Sequence, residues 1–185
     1  KKSGRGKKLR TNPVENFCQN NNIIFKYFED SEIYSDMDYG VCVSFGAIFK
    51  ADFINGNAPI FNIHLSRLPE LRGPSPVESA ILNGNTLFGY TIFKIVQEID
   101  EGPILYQNDV EVLDNYSSNV YEALLEDFIR SFKSIDFKSP LQIQKGNVSV
   151  TSKFVKTDYM ISKEDTIYEA KNKIKAFDIL GPAYI

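Results

Sequence analysis

Asn62, His64 and Asp100 are the residues whose types and spacing could carry a reaction in this chain. Asn62 and His64 lie two apart in "IFNIHLS" (60–66), which reads as a strand. Their side chains then project to one face near the strand's C-terminal end. Ligands of open α/β sheets bind at that end. Asp100 lies in "QEIDEGPIL", a loop between two strands, with Glu98 and Glu101 close by. An Asn, a His and an Asp together can run acyl transfer to an amine. The amide can donate to a developing oxyanion, and losing such a donor costs roughly 2.7–4 kcal/mol. The imidazole can add a second donor or move a proton, worth on the order of 10²–10⁴ in rate. The carboxylate can fix the ring's tautomer or hold a water. His64 is the sole histidine. On spacing alone a structural reading stays open: a hydrogen-bonded His at a strand end, and turn formers at Asn62 and Asp100.

These residues need a scaffold, and the pattern supplies one. Pro13 starts a helix to about residue 21 with Asn12 as its cap, and "IIFKYF" (23–28) reads as a strand. "YGVCVSFGAIF" (39–49) reads as a buried strand. Ser75–Pro76 opens a helix that Asn83–Gly84 closes. Residues 89–97 and 102–112 read as strands. Ser117 or Ser118 caps a helix to about 134, with Val120, Tyr121, Leu124, Leu125, Phe128, Ile129 and Phe132 on one face. Residues 141–150 read as a hairpin around Lys145–Gly146–Asn147, and Ser162 with Asp165 as a capping box for a helix to about 177. The fold class is α/β, with a mixed, mainly parallel sheet flanked by helices.

The 185 residues suffice for one domain with a sizeable core. No apolar run reaches the roughly 18 residues of a membrane helix. Cys18 and Cys42 lack metal-ligand spacing, so they read as reduced and buried, and no metal site is expected. Net charge is −3, yet Lys1, Lys2, Arg5, Lys7, Lys8 and Arg10 all fall within the first ten residues. Such a segment attracts phosphates, or is simply a solvated loop.

From Asn62 to Gly102 the chain resembles, without a gap, the formyltransferase family that uses 10-formyltetrahydrofolate. The shared features are "NIH", the "SRLP" turn, a helix ending near Gly84, the Gly89-Tyr-Thr91 strand and the Asp100-Glu-Gly102 loop. The resemblance implies a partial Rossmann-like domain, with Asn62, His64 and Asp100 as catalytic residues. Ser66, Arg67, Leu68 and Pro69 would match a folate-contacting turn, in which Arg67 replaces a leucine. Gly46 and Ile48 would line the pterin pocket. "SGRGKKL" (3–9) is similar to the basic loop of the branch acting on methionyl-tRNA, so Arg5, Lys7 and Lys8 would meet tRNA. The implied partners are initiator methionyl-tRNA and folate, with no membrane, and a monomer is expected. The resemblance also implies a catalytic domain over 1–155 and a linker with the start of a C-terminal region over 156–185. The family's first βαβ unit and C-terminal barrel would lie outside the chain, so this piece alone is expected to be inactive or prone to aggregate. The resemblance, taken with an Asn-, Lys-, Ile-, Phe- and Tyr-rich composition, implies a mitochondrial matrix enzyme, or alternatively one of the bacterial cytoplasm. The other readings are a formyltransferase for a ribonucleotide or sugar nucleotide, and a non-catalytic folate- or RNA-binding member.

Overall fold

The computed structural model describes residues 12–29, 34, 36–181 and 183–185. The chain divides into two compact units, 1–32 and 33–185. In the first, α1 spans Pro13–Asn20, and Asn12 Oδ1 accepts from the Val14 N–H at 2.9 Å, the cap the sequence predicts. The strand expected at 23–28 does not form. An apolar run becomes a strand only where a neighbour completes its ladder, and no described residue does so here.

The second unit holds a four-stranded sheet. Its strands are β1 (Gly40–Val43), β2 (Ile60–His64), β3 (Leu87–Lys94) and β4 (Ile104–Glu111), in that spatial order. β1 and β2 run parallel, joined through α2 (Ala51–Gly56). β2–β3 and β3–β4 are antiparallel. The sheet is mixed, as expected, but it is not mainly parallel among the described strands. The short 95–103 connection between β3 and β4 permits only an antiparallel return. The strand expected over 39–49 stops at Val43, because Ser44 turns left-handed (φ +50). α2, which the apolar run concealed, follows that turn.

Register divides the strand residues between two faces. Asn62 lies opposite Phe93, His64 opposite Thr91, and Cys42 opposite Asn62. Phe61, Ile63, Tyr90 and Ile92 take the other face. There they join Val77 and Ile81 of α3 (Pro76–Leu82), Val120 and Leu124 of α4 (Ser117–Phe132), and Ala176 and Phe177 in one core. Burial of this kind stabilises by roughly 1.5–3 kcal/mol per large apolar side chain. On the α4 stripe the inward positions are as predicted, but Leu125 and Ile129 remain exposed.

Helix caps depart from the sequence reading in two places. α4 begins after Tyr116, and no side chain of the N-cap residue bonds its open N–H groups. Asp178, sixty residues on, accepts from the Ser118 N–H (3.2 Å), the Ser118 hydroxyl (2.6 Å) and the Ser117 hydroxyl. Burial pushes the Asp178 carboxyl up, but these bonds more than offset it and hold it below the usual range. α5 (Ile167–Ala176) is capped by Thr166 with Glu169, not by Ser162 with Asp165. Asp165 instead accepts from Ser162 N–H and pairs with Lys173.

Residues 141–150 form no hairpin. They run as an extended strap whose ends bridge elsewhere, Gln142 to Ile104 and Val150 to Arg72. Backbone groups that could have paired with each other are taken by loops distant in sequence. Both cysteines are free thiols, Cys18 buried and Cys42 half-buried. No helix among the described residues is long and apolar enough to cross a membrane.

Candidate active site

A cavity of about 720 Å³ opens above the C-terminal ends of β1 and β2. Its walls include Cys42, the loop from Ser44 to Phe49, Asn62, His64, Phe93, Ile95, Asp100 and Tyr121. The pleat explains the set: Cys42, Asn62, His64 and Phe93 share one sheet face. The parallel β1–β2 pair ends here, and the chain that leaves β1 curls over the opening.

His64 is 6% exposed and its two ring nitrogens face two acceptors. Nε2 lies 2.8 Å from the Leu71 carbonyl oxygen, and since a carbonyl only accepts, Nε2 carries hydrogen and donates. Nδ1 lies 3.6 Å from Asp100 Oδ2. A proton on Nδ1 would face that carboxylate. Asp100 is itself oriented: Oδ2 accepts from the Gly73 N–H at 2.7 Å, and its backbone is left-handed (φ +56).

The structure brings Asn62, His64, Asp100, Gly46 and Ile48 to this cavity. It does not bring the turn from Ser66 to Pro69 there. The Ser66 hydroxyl donates to the Glu70 carbonyl at 2.6 Å, Leu68 is buried against Phe93 and Ile104, and Arg67 pairs with Asp109 at 2.7 Å. Thr91 ties this turn to β3, its hydroxyl donating to the Ser66 carbonyl and accepting from the Leu68 N–H. The turn is thus anchored to β3 outside the cavity lining. Arg5, Lys7 and Lys8 lie outside the described residues. No group of three or more His, Cys, Asp and Glu among the described residues could hold a metal ion.

Sequence reasoning missed the groups that hold the constellation: the Leu71 carbonyl, Arg72 and Gln144. A backbone carbonyl leaves no trace in residue type, and Gln144 lies 44 positions from the carbonyl of Asp100 that it binds.

Behind the Tyr121 wall, Glu78 is 2% exposed. Tyr121 donates to its Oε1 at 3.0 Å, while Oε2 has no partner. Burial pushes its carboxyl above the ordinary range, opposed by bonds from its own backbone and Tyr121. A carboxyl raised in the folded state contributes its full stability below the unfolded value of about 4.3 and loses it as pH rises through the folded value. Denaturant midpoints measured from pH 4 to 8 are therefore expected to show Glu78→Gln gaining on the native protein as pH rises. A difference independent of pH would contradict this.

A profile of the family described as formyl transferase matches residues 1–131. The chain belongs to the formyl transferase family. It is 32% identical over 192 residues to the methionyl-tRNA formyltransferase of Thermosipho africanus, covering 96% of this chain and 62% of that protein. The chain thus spans less than two thirds of that relative's length. The solved methionyl-tRNA formyltransferase from Clostridium thermocellum superimposes with a TM-score of 0.67 at 19% identity, over 80% of this chain and 65% of that one. The sugar 3N-formyl transferase WlaRD, solved in the presence of dTDP and 5-N-formyl-THF, gives a TM-score of 0.72 at 24% identity, over 88% and 61%. Both structures share the fold.

Proposed function

We propose that the protein transfers a formyl group from 10-formyltetrahydrofolate to the amino group of initiator methionyl-tRNA, with residues 1–155 as the catalytic domain and 156–185 as a linker and the start of a C-terminal region. The observation that carries the reading is the convergence of Asn62, His64 and Asp100 on one cavity. The similarity to proteins named methionyl-tRNA formyltransferase favours this acceptor.

The residues suit a folate donor. The cavity falls within the roughly 300–1,000 Å³ of small-molecule sites, and Phe45, Gly46, Ile48 and Phe93 line it beside the polar groups. When bound, the folate supplies an activated formyl group. The chain supplies orientation and charge. The Asn62 amide N–H₂ donates where negative charge develops on the formyl oxygen. His64 Nδ1 holds positive charge or a proton near the reacting amine, with Asp100 stabilising it. This is favoured over a donor role for Nε2, because the Leu71 carbonyl already occupies that hydrogen. The turn from Ser66 to Pro69 acts as support. Arg5, Lys7 and Lys8 contact tRNA phosphates, a salt-sensitive interaction. A monomer is proposed, and the bacterial relatives favour the cytoplasmic alternative over the mitochondrial matrix.

A sugar nucleotide acceptor is the second reading, favoured by the similarity to WlaRD. Offering the whole protein initiator methionyl-tRNA and a dTDP-linked amino sugar, each with the formyl donor, separates the two. Formylation of the tRNA alone is expected; formylation of the sugar alone would overturn the acceptor.

A further inference from the structure

The two acceptors that frame His64 come from left-handed, non-glycine residues, Leu71 and Asp100 (φ +56 each). Such backbone persists only where its surroundings over-determine it. One segment does this for both, the strap that follows Leu141. Its Ser149 hydroxyl accepts from the Leu71 N–H at 2.8 Å, and its Ser149 carbonyl from the Arg72 N–H at 2.9 Å. On the other side, the Gln144 amide N–H₂ donates to the carbonyls of Asp100 (2.7 Å) and Gly102 (2.8 Å). Gln144 Oε1 accepts from Arg72 Nε (3.2 Å) and Nη2 (2.7 Å), while Arg72 Nη1 reaches Glu101 Oε1 at 2.8 Å.

We infer that Gln144, locked by Arg72, is a positioning residue that holds Asp100 against His64. Every polar group of the Gln144 amide is used, and only one orientation works. Turned over, the amide would set oxygen against two carbonyls and N–H₂ against a guanidinium. Gln144 lies outside the cavity lining, so it acts through the Asp100 loop and not on the ligand. Displacements near 1 Å in such a loop can cost on the order of 10²-fold in rate.

The inference rests on the catalytic reading of Asp100, and the test separates the two. Gln144→Leu keeps volume and removes all four bonds. Gln144→Glu keeps the pairing with Arg72 but replaces both donors with acceptors, and circular dichroism of each variant establishes that the kinetics are read on folded protein. In the whole protein, each is expected to lower kcat about 10–100-fold, with KM for both substrates changed by less than about threefold. His64 is the sole histidine of these 185 residues, and in the whole protein its imidazole ¹⁵N signals are identified by their disappearance in His64→Ala. They are expected to move in both variants toward those of Asp100→Asn. Lowered thermal stability with native kcat and unmoved His64 signals would reduce Gln144 to a structural role and overturn the inference. If Asp100→Asn abolishes transfer while both Gln144 variants turn over normally, the inference fails alone. If Asp100→Asn transfers normally, the catalytic reading fails, and the His64 signals still decide whether Gln144 positions the loop.

Discussion

Replacing His64 with alanine is expected to lower kcat for formyl transfer by about 10²–10⁴, the span over which a positioned proton-transfer group contributes. The variant should still fold. It leaves the Leu71 carbonyl, which accepts from Nε2 at 2.8 Å, without its partner, a loss of roughly 1–3 kcal/mol. Asp100→Asn gives a sharper separation. The substituted amide retains an oxygen for the Gly73 N–H, which Asp100 Oδ2 accepts at 2.7 Å, so the loop should hold its shape. It removes the charge facing Nδ1, and loss of kcat is expected in the same range with KM for the formyl donor little altered. Steady-state kinetics with both substrates, and circular dichroism to confirm folding, check the pair. Near-native turnover in His64→Ala would sink the assignment, and full activity in Asp100→Asn would remove the carboxylate from it.

The site was legible where type and period coincide. Asn62 and His64 two apart in a β-branched and aromatic run had to share a sheet face, and they share it. Asp100 was legible only as a turn carboxylate; the resemblance over 62–102 joined it to His64, and no spacing rule could have done so. The elements that went unread were decided by tertiary partners. The run at 39–49 is rich in β-branched and aromatic residues, yet it yields at Ser44, and the remainder becomes cavity wall. The Lys145–Gly146–Asn147 turn signal was local, but the neighbouring backbone groups bond Ile104, Pro69 and Arg72 instead of each other. The cap of α4 was sought beside it and comes from Asp178. Local chemistry names the groups that need partners, and only the fold decides which partners they find.

Gly102→Ala is expected to damage stability and transfer together, because the site leaves no room for a Cβ. That atom would lie 1.7 Å from the Lys94 carbonyl oxygen, 2.9 Å from its carbon and 3.1 Å from the Phe93 ring. Two of these are backbone atoms, which cannot swing aside as a side chain can. The loop must move, and three things move with it. The Lys94 N–H to Pro103 carbonyl bond (2.9 Å) is the first backbone bond tying β3 to the segment entering β4. The Gly102 carbonyl accepts from Gln144. Asp100 lies two residues upstream, 3.6 Å from His64. Overpacking of this kind costs about 1–3 kcal/mol, and more where the backbone has to shift. The unfolding free energy from denaturant titration is expected to fall by that amount, lowering the midpoint. Under conditions where the variant is folded, kcat should still be lowered at least about tenfold, because a displaced Asp100 no longer faces Nδ1. Gly46→Ala is the contrast within the same cavity wall: its Cβ would meet nothing within 4 Å, so its denaturant midpoint should match the native one. Equal midpoints for the two alanine variants would mean that the 95–103 loop yields freely. The rigid placement of Asp100 on which the mechanism depends would then have to be abandoned.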